Sequence, residues 1–419
     1  MTDDAVDLQK IYARCCIVGG GPAGMVLGLL LARAGVEVVV LEKHADFLRD
    51  FRGDTIHPST LEVMHELGIL DEFLKRPHQE ARELAAQFGD EVLMVADFLH
   101  LPTQCKFIAL MPQWDFLNFI AEQAKHYSSF QLRMETEVTD LIRDGERVIG
   151  VTARTPRGVL EVRTELVVGT DGRHSMVREK AGLKTVDLGA PMDVLWMRLS
   201  RHPGDGGQTL GRIGAGRIFI MIDREDYWQC AYVIRKGSFE QIRQNGLAAF
   251  REDLLRLAPF LSERVNELAD WSDIKLLTVA ADRLSQWYQS GLLCIGDAAH
   301  AMSPVGGVGI NLAVQDAVAT ANILAGPLLR GAITVDELSK VQQRREWPTR
   351  MTQRLQATVQ NRVIGRVLGS RERPVPPLVM RLIGRWPVLR RIPARIIGLG
   401  FRPEHVSTPD TTIRKSATN

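Results

Sequence analysis

An unbroken apolar run, Cys15-Cys16-Ile17-Val18, passes directly into Gly19-Gly20-Gly21-Pro22-Ala23-Gly24 and then into an apolar stretch reaching about Ala34. A buried strand must turn sharply into a helix at this point. Gly19, Gly21 and Gly24 stand at the G-x-G-x-x-G spacing that allows it. The first glycine permits a tight turn, the second a close backbone approach to a pyrophosphate, and the third close packing of helix on strand. Pro22 falls in the first helical turn, where its missing N–H costs nothing. An anion beside Pro22 and Ala23 meets free N–H groups and the positive end of the helix dipole. A second buried strand, Glu37-Val38-Val39-Val40-Leu41, ends at Glu42 and Lys43. Glu42 lies about 20 residues beyond the turn, where a carboxylate holds a ribose hydroxyl pair. The stretch predicts a dinucleotide site.

At 419 residues the chain exceeds what one hydrophobic core fills. Its 52 Lys and Arg nearly balance 50 Asp and Glu, so no global field points to nucleic acid. None of the five cysteines forms a C-x-x-C pair, and Cys15, Cys16 and Cys294 sit inside apolar strands. They read as small buried hydrophobes in a reducing compartment, and no metal site is expected. The acidic start Met1-Thr2-Asp3-Asp4 lacks the cationic and apolar run of a secretion signal. A cytoplasmic location is expected. The apolar helix from Met25 to Ala32 stops at Arg33, too short for a membrane span.

Two further motifs follow buried strands. Leu166-Val167-Val168-Gly169-Thr170 leads into Asp171-Gly172-Arg173-His174-Ser175, where Ser175 can cap a helix carrying Arg178. Leu292-Leu293-Cys294-Ile295 leads into Gly296-Asp297, and a bare loop, Pro304-Val305-Gly306-Gly307-Val308-Gly309, opens a helix at Ile310 and Asn311. Asp297 can accept hydrogen bonds from a polyol chain, while the loop points N–H groups and a helix dipole at a flat ligand.

All three motifs, in this order and spacing, resemble the class A flavoprotein monooxygenases, the para-hydroxybenzoate hydroxylase family, over roughly residues 13 to 330. The resemblance implies an α/β chain: a Rossmann-like FAD-binding fold with an inserted mixed β-sheet substrate domain and a C-terminal helical region. Residues 1–190 would form the first part of the FAD-binding domain, with a β-meander, and 191–277 the substrate layer. Residues 278–362 would complete the FAD-binding domain with helices, leaving 363–419 as a basic tail. FAD would be tightly bound and NAD(P)H a transient co-substrate. In that family NAD(P)H reduces FAD, dioxygen adds at flavin C4a, and the hydroperoxide hydroxylates an aromatic or phenolic small molecule.

Carried over position by position, the resemblance has Gly19, Gly21 and Gly24 wrapping the diphosphate and Glu42 holding the adenosine ribose. Arg52 would lie near the pyrophosphate and flavin, Gln113 near the ribityl chain, and Val138 against the adenine by its main chain. Asp171 would contact FAD and pyridine nucleotide, and Asp297 the ribityl and pyrophosphate groups. Pro304 and the segment Gly307, Gly309, Ile310 and Asn311 would line the reactive face. A single G-x-G-x-x-G strand–helix unit argues against a separate nicotinamide domain, since Gly211 to Gly216 precedes a strand-like run. The W-x-W-x-I-P signature of flavin halogenases is missing.

His57 and His300 lie in motif loops and are candidates to relay protons near neutral pH. Strand alternation puts Trp228, Cys230 and Tyr232 on one face, with Tyr227, Gln229 and Ala231 on the other. Which face lines a pocket is left open. In the tail, Arg381, Arg385, Arg390, Arg391 and Arg395 alternate with apolar residues. They read either as solvated arginines on helices capping the core, or as an amphipathic patch on anionic lipid or a partner subunit. The second reading carries an alternative function, a peripheral membrane hydroxylase of a prenylated or lipid-like substrate. The chain is expected as a monomer or homodimer.

Overall fold

Five apolar runs pair in parallel in the order Phe130–Arg133, Val38–Leu41, Leu8–Val18, Gly158–Gly169 and Leu292–Cys294. The chain is described here from a computed structural model covering residues 8–48, 55–205, 210–370, 372 and 375–411. Val38 to Leu41 are buried at every position, as a strand covered on both faces requires. Helices Pro22–Arg33 and Gly309–Arg330 pack together against this sheet. At Gly28 a side chain would come within 2.9 Å of both Phe130 and Val40, so the glycine sets the distance of the first helix from the strands. The helical segment Val305–Arg330 is long and apolar enough to cross a membrane, yet most of it is buried here as a core helix. A meander of Glu137–Asp144 and Arg147–Thr155 adds antiparallel strands to Gly158–Gly169.

A second sheet of seven strands runs in the order Lys275–Leu277, Met192–Ser200, Tyr227–Arg235, Arg217–Asp223, Leu210–Gly214, Glu83–Phe88 and Glu91–Asp97. Gly211 to Gly216 therefore forms the turn region of a hairpin and not a second nucleotide loop. Residues 83–97 lie within the first unit by sequence. In space they extend the substrate-layer sheet, because Ala85 to Phe88 pair in parallel with residues 210–213.

Alternation assigns the faces of this sheet. Trp228, Cys230 and Tyr232 join Leu195, Met197 and Leu199 in a core covered by Phe250 and Leu254 of helix Leu247–Leu257. On the opposite face Trp196, Ile220 and Ala231 pack with Val194 and Val279. Beyond the sheet, helix Val335–Val359 continues through a π-helical turn, Gln360–Ile364, and two short helices follow, Leu378–Arg385 and Pro387–Leu399.

Candidate active site

At the first motif each glycine meets a different physical demand. Gly19 adopts φ +107°, donates its N–H to the Leu41 carbonyl at 2.8 Å, and has no room for a side chain beside the Thr170 carbonyl. Gly24 packs so closely that a Cβ would sit 2.0 Å from the Gly19 carbonyl oxygen. Around Gly21 nothing lies within 4 Å of the Cβ position. Helix Pro22–Arg33 has no acidic residue in its first turn, so its positive end stays uncompensated beside that open space. Glu42 accepts from the Gly20 N–H at 2.9 Å and the His44 N–H at 3.1 Å, which fixes its carboxylate at the glycine turn. The Thr136 N–H reaches the Glu42 carbonyl at 2.8 Å, and this brings the start of strand Glu137–Asp144, with Val138, alongside. Lys43 is exposed next to Glu42, and Gln113 is half-buried at the start of helix Gln113–Ala124. Arg52 lies outside the described residues.

Asp171 is turned toward its own helix. Its carboxylate accepts from Ser175 Oγ at 2.6 Å and the Val177 N–H at 3.1 Å, and Ser175 in turn caps the helix through the Arg178 N–H. Burial pushes the Asp171 carboxyl above its usual range against those hydrogen bonds. The motif reaches the third one through Arg173, whose Nε lies 3.8 Å from Asp297. Gly296, at φ +58°, would place a Cβ 3.1 Å from that of Ala23, so the third motif rests on the first. Three segments far apart in sequence thus converge.

The Pro304–Asn311 segment is held from two sides. On one side, the Thr55 hydroxyl donates to the Gly307 carbonyl at 2.9 Å. Asn311 Oδ1 accepts from the His57 N–H at 2.9 Å and the Thr60 hydroxyl at 2.7 Å. On the other, Gln356 donates to the carbonyls of Ser303 and Val305 at 2.9 and 2.8 Å, and Gln360 to Ser303 Oγ at 2.7 Å. Gln353, one turn earlier, holds the Asp282 and Ala301 carbonyls. These glutamines escaped the sequence reading. Their spacing of three and four residues on one helix face was the available signal. The π-helical turn at Gln360 falls at the end of that face. Gly309 faces open space, and helix Gly309–Arg330 also lacks an acid in its first turn. Ile310 is buried behind it.

His57 lies between the C-terminal helix and the Asn311 loop. The ring is fully buried, Nδ1 lies 2.7 Å from the Ile397 carbonyl, and burial pushes the imidazole down to about 4 despite that hydrogen bond. It stays neutral near pH 7 and ties the C-terminal helix to the Asn311 loop. His300 is likewise committed: Nε2 lies 2.6 Å from Asp316. Asp316 also accepts from the Gly296 N–H at 3.1 Å and from Arg345 Nε at 2.9 Å, and Arg345 reaches Glu404 at 3.1 Å. Burial alone would raise the Asp316 carboxyl, but the charge and hydrogen bond of His300, with those of Arg345, hold it below its ordinary value.

The donor set suits FAD: two uncompensated helix N-termini, at Gly21 and Gly309, each faced by open space, with Glu42 bonded to the first glycine turn and Asp297 following Gly296, which abuts Ala23. The fold and this site define an FAD-binding α/β flavoprotein. The FAD binding domain family matches residues 12–354. Across 387 residues the chain is 31% identical to 6-methylpretetramide 4-monooxygenase of Streptomyces rimosus, covering 91% of each chain. It is 26% identical to para-nitrophenol 4-monooxygenase of Pseudomonas sp. (strain WBC-3), covering 77% of this chain and 81% of the relative. The solved p-nitrophenol 4-monooxygenase PnpA from Pseudomonas putida DLL-E4 superposes with a TM-score of 0.74 at 22% identity, over 94% of this chain and all of that one. The chain belongs to the FAD binding domain family and is a class A flavoprotein monooxygenase.

Proposed function

We propose that the protein uses NAD(P)H and O2 to hydroxylate an aromatic or phenolic small molecule. The observation that carries this reading is the apolar patch of the second sheet on which the Pro304 loop packs. Val305 packs with Met192, Ile218 and Val233 of the second sheet, and Ile220 bridges from this cluster to Trp196. This apolar patch and the open space at Gly309 adjoin the same loop, and together they suit a flat apolar ring. Both curated relatives reported above are named as monooxygenases, one of p-nitrophenol and one of 6-methylpretetramide.

When bound, FAD supplies acceptance of hydride and transfer of one oxygen atom to the substrate. The chain's own residues bind and orient. The helix N-termini at Gly21 and Gly309 would hold the diphosphate and the flavin ring respectively, and would favour negative charge on each. Asn311, fixed by His57 and Thr60, and Ser303 with Val305, fixed by Gln356, hold the loop at one distance from the apolar patch. The patch excludes water from the ring that reacts.

A screen of NAD(P)H oxidation and oxygen uptake over phenols, pyridines and quinone precursors tests the reading. A substrate should accelerate both rates and yield a product heavier by one oxygen. Turnover that consumed halide, or a product without added oxygen, would sink it.

A further inference from the structure

The helices Leu378–Arg385 and Pro387–Leu399 use only one side to hold the fold. Gly384 comes close enough to Leu93 that a Cβ would lie 2.9 Å away, and Ala394 and Leu399 share a core with Phe98 and Leu101. Arg390 fixes the two helices to each other through the Gly384 carbonyl at 2.5 Å. The outward side is apolar. Leu378, Val379, Leu382, Trp386, Val388 and Ile392 are 44% to 73% exposed. Arg381, Arg385, Arg391 and Arg395 are exposed beside them. No Asp or Glu occurs between Glu372 and Glu404.

Apolar side chains that share their own two helices only with cations suit an anionic partner that accepts aliphatic groups without a matching shape. A second copy meeting this face across a two-fold axis would set these arginines against their own equivalents, which repels. A bilayer has neither difficulty: side chains such as Leu378 and Leu382 enter the acyl boundary, an indole sits at headgroup level, and guanidinium groups meet lipid phosphates. We propose that this face docks the protein onto an anionic lipid bilayer, with both helices lying in the interface. The bilayer would then lie behind the helix whose Ile397 carbonyl holds His57.

The test is co-sedimentation of the full-length, FAD-loaded protein with phosphatidylcholine vesicles, with and without phosphatidylglycerol. The protein should pellet only with the anionic vesicles, less so in high salt. Partitioning should weaken about fivefold for each arginine neutralised in R381Q and R385Q. The triple variant Leu378→Ser, Leu382→Ser, Trp386→Ser should stay in the supernatant while keeping its flavin absorbance, which reports that it has folded. Equal partition onto neutral and anionic vesicles, or unchanged binding by the triple variant, would overturn the proposal. So would a solution dimer that the same variant splits, or a soluble acidic protein that competes with the vesicles for this face.

Discussion

Asp316 and Arg345 meet at 2.9 Å with both side chains sealed from solvent, and the other oxygen of the same carboxylate holds the N–H of Gly296. A buried pair of this kind is costly to break from one side, because the remaining charge has no water to turn to. Arg345→Met should lower stability by about 3–5 kcal/mol in a urea titration. Arg344→Met, which removes the more exposed partner of Glu404, should cost clearly less. Asp316 is held below the usual carboxylate range, so it adds stability above the unfolded pKa of about 3.9 and loses it as pH falls through the folded value. Asp316→Asn should therefore blunt acid unfolding in that low range.

His57 sets a pH dependence in a higher window. Its ring is pushed down to about 4 in the fold, so the unfolded chain binds the extra proton first as pH drops. The neutral ring contributes full stability above about pH 6.5, and that contribution is lost through the interval down to about 4. Its size is on the order of 3 kcal/mol. Unfolding free energies of His57→Asn measured at several pH values should show a correspondingly shallower decline. A slope matching the parent protein would contradict the assignment.

Gly21 and Gly24 separate binding from folding. Gly24→Ala forces a Cβ onto the Gly19 carbonyl oxygen at 2.0 Å and should leave little soluble protein. Gly21→Val places its side chain in open space, so the variant should fold and show its defect as reduced FAD retention after gel filtration. Full flavin content in Gly21→Val would show that the diphosphate lies elsewhere.

Asp297 is the corresponding test at the third motif. Asp297→Ala also frees Arg173, which lies 3.8 Å away, so Arg173→Gln serves as its control. Flavin content should fall sharply in the first variant and much less in the second, read from the absorbance ratio of purified protein.

Gln356→Leu leaves the carbonyls of Ser303 and Val305 without their donor, at a cost of about 1–3 kcal/mol. The loop they flank is the one proposed to face the substrate. The expected signature is NAD(P)H consumed with less hydroxylated product per turnover, while FAD stays bound. An unchanged product yield would remove Gln356 from the positioning of Pro304.

The parts of this site that depend on local backbone chemistry were legible in the chain. Gly19 and Gly24 declare a turn and a close approach by what they lack, and both behave that way in space. Ser175 was likewise readable as a cap. Hidden were relationships that need a distant partner. Ala85 pairs with residue 210, and nothing near Ala85 announces it. Polar side chains on helix Val335–Val359 resemble a solvated face, whereas Gln353 and Gln356 are buried against loop carbonyls. His57 sits among motif residues, and only the arrival of Ile397 gives its ring a partner.

Glu404 has a bearing on the order of synthesis. It joins Arg344 and Arg345, and its main chain reaches Gln315, beneath the motif that begins at Gly296. Every strand of both sheets is complete by Cys294, so translation delivers the sheets long before it delivers this carboxylate. A nascent chain can assemble its strands on the ribosome while the charge under Gly296 still lacks its full set of partners.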